Sequence, residues 1–154
     1  MRKFSFPVLI AGLIGLDQLA KWWTVTNIEL DTSREWISGF MSLAYLRNYG
    51  AAYSMLQNQQ WLFTIITLVV MTAAIWYFIK QIDGSLWQLF ALSLIIAGGL
   101  GNFVDRLRLG YVVDMFKTEF IDFPVFNVAD ACLTVGVAVL FICILKEEEY
   151  GSKN

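Results

Sequence analysis

Two aspartates in the last third of the chain, Asp114 and Asp130, have the side-chain type and the surroundings that acid–base chemistry requires. Each borders a long apolar run, and an ionisable side chain at membrane depth is costly enough that it usually serves a function. Two carboxylates that meet can act as an acid and a base, because one is protonated while the other is ionised. The chain contains no histidine, which excludes the commonest general base and the usual histidine-containing catalytic and zinc sites.

The composition places these aspartates in a membrane protein. The chain of 154 residues is 58% hydrophobic and 16% charged, whereas a soluble domain averages about 45–50% apolar and about 25% charged residues. Apolar runs near the length of about 20 residues that crosses a bilayer predict four transmembrane helices. They lie at about residues 6–23, 61–79, 86–104 and 128–145. We therefore expect a mainly α-helical, polytopic membrane protein with a single domain over residues 1–154.

Three further features limit the possible interpretations. The first apolar segment lacks an A-x-A cleavage site and ends in Trp22 and Trp23, which favours a retained span over a signal peptide. The net charge of −2 provides no basic surface for nucleic acid. Residues 36–46, between the first two spans, are rich in β-forming and aromatic side chains and predict a small extended or β platform.

Counting spans places five polar clusters at the same membrane face. The clusters are residues 17–21, 48–54, 102–106, 114 and 127–130. Because successive spans alternate in direction, this convergence predicts one site at one membrane surface. The distribution of lysine and arginine does not decide which surface it is.

Several spacings within these clusters predict local contacts. Asp17 and Lys21 are four residues apart and can pair on one helix face, either to stabilise the helix end or to serve the site directly. Asn102 and Arg106 share the same spacing, and an arginine there can hold a carboxylate or a peptide carbonyl. The glycines between residues 98 and 101 predict close helix packing.

Asn127 and Asp130 have the spacing of a capping box at the start of the fourth span. Capping and catalysis are compatible, because a helix N-terminus stabilises a carboxylate; Asp130 is then expected to be the more acidic of the two aspartates. Around Asn48, Gly50 allows close approach of a ligand or of another segment, although a tight turn explains it equally well.

Taken together and in this order, the clusters resemble those of the lipoprotein signal peptidases, also called signal peptidase II. The resemblance covers about residues 5–145. It rests on these blocks: Asp17-Gln18-x-x-Lys21, Asn48-x-Gly50-Ala51-Ala52, Gly101-Asn102-x-x-Asp105-Arg106, Val112-Val113-Asp114 and Phe126-Asn127-x-Ala129-Asp130. Each block is weakly informative alone, but the combination is specific.

The resemblance implies a bacterial membrane aspartic endopeptidase that removes the signal peptide of a prolipoprotein. Such an enzyme cleaves just before the diacylglyceryl-modified cysteine, works among membrane lipid without a metal or cofactor, and is inhibited by globomycin. It implies that Asp114 and Asp130 are catalytic. The substrate-binding and supporting residues it implies are Asn48, Gly50, Asn102, Arg106, Asn127, Ala129, Asp17 and Lys21. It also implies a site on the extracytoplasmic side of the bacterial cell membrane, with the platform, and both termini in the cytoplasm.

Two other functions remain as alternatives. A Ser/Lys peptidase would use Ser42 or Ser54 with Lys21, but pairing with Asp17 keeps that lysine charged and a poor base. A small proton-coupled membrane transporter would use Asp114 and Asp130 as a relay. Such transporters often show repeat symmetry and sites near the middle of the membrane, and we find neither in the sequence.

Overall fold

The computed structural model describes residues 2–50 and 59–151, and it is mainly helical. The helices are α1 (Arg2–Asn27), α2 (Gln60–Lys80), α3 (Leu86–Leu109) and α4 (Val128–Gly151). The strands are β1 (Ser33–Ile37), β2 (Met41–Asn48) and β3 (Val112–Thr118). In the described part of the chain, four helices are long and apolar enough to cross a membrane. The predicted fold, four membrane helices with a small sheet, is confirmed.

Helix α3 lies at the centre of the bundle. In its most apolar 18-residue window 67% of the residues are buried, against 11% in the corresponding windows of the other three helices. It packs against α1, α2 and α4. The outer helices instead expose large apolar side chains, such as Val69 and Trp76 of α2, as expected of helices that face lipid.

Glycines allow α3 and α4 to approach closely. A Cβ atom added at Gly98 would collide with the backbone oxygen of Ala129, and one added at Gly136 would lie 2.8 Å from the backbone oxygen of Ala91. The predicted packing role of the glycine-rich segment is therefore confirmed at Gly98. This close approach brings the start of α4, and with it Asp130, against α3.

The three strands form one antiparallel sheet in the order β1-β2-β3. The chain leaves α3 through Gly110, whose φ of 77° is left-handed, and returns at once as β3. In the register between β2 and β3, Asn48 lies opposite Val112 and Leu46 lies opposite Asp114. The sheet thus brings the end of β2 beside the first half of β3.

The structure refines the predicted boundaries. The third helix ends at Leu109 and not near Val104, and the fourth continues to Gly151. The predicted platform corresponds to β1 and β2, and the sequence did not predict the third strand of the sheet, β3. Hydropathy predicts only how far the apolar part of a segment extends. The helix itself continues to Gly110, whose left-handed conformation ends α3.

Candidate active site

A continuous chain of hydrogen bonds joins the two aspartates. Asp114 lies on β3 and Asp130 lies in the first turn of α4. Oδ1 of Asp114 accepts from Nδ2 of Asn127 at 2.7 Å, and Oδ1 of Asp130 accepts from Nδ2 of Asn102 at 2.7 Å. The two asparagines are linked in turn, because Nδ2 of Asn127 donates to Oδ1 of Asn102 at 3.1 Å. The side chains from α3, β3 and α4 therefore form one network.

Asp130 also caps α4, as the sequence predicted. Its backbone N–H donates to Oδ1 of Asn127 at 2.9 Å, and Oδ2 of Asp130 accepts from the backbone N–H of Asn127 at 3.2 Å. This is the reciprocal pattern of a capping box. The same carboxylate thus stabilises the helix N-terminus with one oxygen and faces Asn102 with the other.

The orientation of three side-chain amides follows from their partners. In each case a group that can only donate lies against the amide oxygen, so the NH₂ group must point the other way. These donors are the N–H of Gly50 for Asn48, the N–H of Asp130 for Asn127 and the ammonium group of Lys21 for Asn102. The NH₂ group of Asn48 consequently donates to Oδ2 of Asp114 at 2.9 Å. Both aspartates therefore accept hydrogen bonds from fixed amides.

The environment of Asp114 makes it titrate near neutral pH. The side chain is only 3% exposed. Burial, followed by the negative charge of Asp130, raises the pKa of Asp114 to about 7, against the opposing hydrogen bonds from Asn48 and Asn127. A carboxyl with a pKa near neutrality can take up and release a proton under physiological conditions, as acid–base catalysis requires.

A buried ionic cluster lies behind this network. Nζ of Lys21 is 2.9 Å from Oδ2 of Asp17 and 3.0 Å from Oδ2 of Asp105, which confirms the predicted Asp17–Lys21 pair. Its third close partner is Oδ1 of Asn102 at 3.0 Å. Ser42, one of the two serines that the Ser/Lys alternative could use, is not among the partners of Lys21 in the described residues. The other, Ser54, lies outside those residues.

The guanidinium group of Arg106 has N–H donors that its contacts with the described residues leave unused. Its guanidinium lies 5.0 Å from the centroid of the Phe63 ring and donates to the backbone oxygens of Gly50 and Asn102, both at a long 3.4 Å. Among the residues that the structure describes, the buried Nε atom has no hydrogen-bond partner. The side chain is therefore placed to bind an additional acceptor.

A cleft of about 720 Å³ opens beside the network, a volume in the range of about 300–1,000 Å³ that ligand sites occupy. Its polar lining includes Asn48, Asn102, Arg106 and Asp130. Its apolar lining includes Phe63, Phe123, Phe126, Leu133 and Val135. Asp114 does not line the cleft itself, and its carboxylate contacts Asn48, which does.

The structure brings together all ten site residues that the sequence singled out. Gly50 and Ala129 take part through their backbone, since the N–H of Ala129 donates to Oδ1 of Asp17 at 2.9 Å. Ala51 and Ala52, also quoted in the motif, lie outside the described residues. Sequence reasoning gave no role to Asp105 or to Phe63. The three-residue spacing between Asn102 and Asp105, one turn of a helix, was the available signal for Asp105.

Comparison with known proteins identifies the family. The family described as signal peptidase (SPase) II matches residues 9–146. The chain belongs to the signal peptidase II family. It is similar to the lipoprotein signal peptidase of Streptococcus agalactiae, with 58% identity over 100% of both chains. Its identity with the lipoprotein signal peptidase of Streptococcus pneumoniae is 57%, over 98% of this chain and 99% of that one.

A solved structure supports the same fold. A bacterial membrane enzyme determined at 2.3 Å resolution superposes with a TM-score of 0.89 and 36% identity, over 94% of this chain and 89% of that chain. The family model and the curated relatives confirm the predicted signal peptidase II family, and the chain is a membrane-embedded peptidase. The family assignment favours a peptidase over the transporter alternative.

Proposed function

We propose that the chain is an aspartic endopeptidase that removes the signal peptide from prolipoproteins, cleaving just before the diacylglyceryl-modified cysteine. The curated relatives are lipoprotein signal peptidases, which supports this substrate class. The observation that carries the catalytic type is the hydrogen-bonded chain from Asp114 through Asn127 and Asn102 to Asp130 beside the cleft.

The proposed reaction needs one proton shared by the two carboxyl groups. The ionised carboxylate takes a proton from water, whose oxygen forms a bond to the scissile carbonyl carbon. The protonated carboxyl donates a hydrogen bond to the carbonyl oxygen and stabilises the negative charge that develops there. The tetrahedral intermediate then breaks its C–N bond, and the carboxyl that received the water proton passes it to the leaving amine.

Arg106 and Asn48 bind substrate in this proposal and transfer no proton. Arginine stays charged and asparagine does not titrate near neutral pH. The Nε donor of Arg106, which has no partner among the described residues, suits a peptide carbonyl. The apolar cleft wall around Phe63, Leu133 and Val135 suits acyl chains.

The purified protein is expected to cut a diacylglyceryl-modified prolipoprotein at a single bond. Mass spectrometry should place the new N-terminus at the modified cysteine, because the acyl chains fix that residue in the apolar part of the cleft. Globomycin should block the reaction. The matched control is the same precursor with serine in place of the cysteine, which cannot be acylated and should remain uncut. Equal cleavage of both precursors, or a cut at another position, would refute the proposed substrate.

The site is further proposed to face the extracytoplasmic side of the bacterial cell membrane, with both termini in the cytoplasm. Single cysteines introduced at Ser33 and Ser152, after replacement of Cys132 and Cys143, test this arrangement. An impermeant thiol reagent added to intact cells should label position 33 and spare position 152. Labelling of position 152 alone would invert the orientation, and labelling of both would contradict the even number of spans.

A further inference from the structure

In the described part of the chain, three charged side chains outside the aspartate pair are almost completely buried. Asp17 is 1% exposed, Asp105 is 2% exposed and Lys21 is 3% exposed. Buried charges carry a desolvation penalty, and apolar residues of similar volume often serve stability equally well. Two carboxylates and one ammonium group also leave a net charge of −1. The existence of this cluster therefore calls for an explanation other than stability alone.

Each buried carboxylate holds the backbone directly before one member of the aspartate pair. Oδ1 of Asp17 accepts from the N–H of Ala129 at 2.9 Å, and Ala129 precedes Asp130. Oδ2 of Asp105 accepts from the N–H of Val113 at 3.1 Å, and Val113 precedes Asp114. The two contacts thus fix α4 and β3 at equivalent points, one residue from each candidate catalytic side chain.

Lys21 connects these two anchors to the site. An ammonium group has three donors, and Lys21 has one close acceptor for each of them, on Asp17, Asp105 and Asn102. The contact with Asn102 sets the direction of the amide that donates to Asp130. Gln18 reinforces the link, because its Nε2 atom donates to Oδ1 of Asp105 at 2.9 Å and to Oδ2 of Asp17 at 3.2 Å.

We propose that Asp17, Lys21 and Asp105 form a positioning cluster that sets the placement of the Asp114 and Asp130 carboxyl groups through the N–H groups of Val113 and Ala129. This role goes beyond support of the fold, and it rests on the proposed catalytic function of the aspartate pair. Because a misplacement of about 1 Å can cost about a hundredfold in rate, disturbing the cluster should lower kcat even in a folded enzyme.

The cluster also contributes to the charge around Asp114. The charged groups around Asp114 are Asp17 and Lys21 from α1, Asp105 and Arg106 from α3, and Asp130 from α4. The positive charge of Lys21 lowers the pKa of Asp114. Removing the charge of Asp105 leaves Lys21 less neutralised, so the pKa of Asp114 should fall further and activity should be lost at a lower pH.

Asp105→Asn is the deciding variant. It keeps the shape and one oxygen for the N–H of Val113, but a neutral oxygen accepts more weakly than a carboxylate. Per folded enzyme, kcat for the lipidated precursor is expected to fall about tenfold or more, while KM stays within about twofold. The alkaline limb of the kcat profile should move down by about 0.5 pH unit. Ser93→Ala, a buried polar change elsewhere on α3, is the matched control and should leave both properties unchanged.

A second variant keeps the test decisive if Asp105→Asn fails to fold. Gln18→Leu removes the bridge between Asp105 and Asp17 without changing charge, and kcat per folded enzyme should fall about fivefold with an unmoved pH profile. Unchanged kcat per folded molecule in Gln18→Leu, or unchanged kcat and pH profile in a folded Asp105→Asn protein, would overturn the positioning role and leave the cluster purely structural. Failure of the catalytic proposal is distinguishable, because Asp114→Asn would then remain active.

Discussion

Asp114→Asn and Asp130→Asn are each expected to reduce cleavage of the lipidated precursor by at least about 10³-fold, within the range that acid–base groups contribute. Asparagine keeps the size of the side chain but cannot take a proton from water or supply one to the carbonyl oxygen. The double variant should lose little more than either single one, because the two groups act as a unit. Initial rates of purified variants in the same detergent and lipid provide the measurement.

The matched control is Asp31→Asn, the same change at an exposed carboxylate just before β1. Asp31 has a positive φ of 61°, a conformation that asparagine adopts readily, so this variant should fold and cleave normally. The wild-type profile adds a check, since activity should decline as pH rises through about 7 and Asp114 loses its proton. Near-normal turnover by a folded Asp114→Asn or Asp130→Asn protein would disprove the aspartic mechanism.

Gly98→Ala is expected to destabilise the protein and reduce its activity. The added methyl group would meet the backbone oxygen of Ala129 and the side chain of Leu133, and a backbone oxygen cannot turn aside. Overpacking of this kind costs about 1–3 kcal/mol, and separating α3 from α4 would draw Asp130 away from Asn102. A lower thermal unfolding temperature in detergent, together with a lower kcat, is the expected result.

Gly99→Ala provides a control one position away on the same helix. There the added methyl group meets the sulfur and terminal carbon of Met71, and methionine adapts easily to a changed space. Alanine favours a helix interior by about 1 kcal/mol over glycine, which opposes any loss in both variants. A Gly98→Ala protein as stable as Gly99→Ala would contradict the close contact between the backbones of α3 and α4.

The helices were largely predictable from the sequence, and the third strand was not. A run such as residues 61–79 is predominantly apolar and contains no charged residue, so its length alone indicates a membrane span. Strand β3 is short, and its partner β2 lies more than sixty residues earlier in the chain. No local pattern encodes such a pairing, because it depends on how α3 returns the chain to the sheet.

The sequence predicted which residues form the site, but it did not predict most of the hydrogen bonds between them. Span counting and motif spacing brought Asp114 and Asp130 to one face. The sequence could not indicate that Asp105 reaches the N–H of Val113, because that contact depends on the position of β3 relative to the last turn of α3. Charged residues after a membrane span resemble a solvated end. The spacing from Asn102 puts Asp105 on the same helix face, but its burial follows only from the packing of α1 and β3 against α3.

The three asparagines of the network also determine how the enzyme can age chemically. Spontaneous hydrolysis of an asparagine amide yields a carboxylate, which accepts hydrogen bonds but no longer donates them. At Asn102 this single change would turn the donor to Asp130 into an additional negative charge facing the pair. A molecule changed in this way would lose the amide that donates to Asp130 and is expected to be inactive. The damage would be visible as a mass increase in the peptide that contains Asn102.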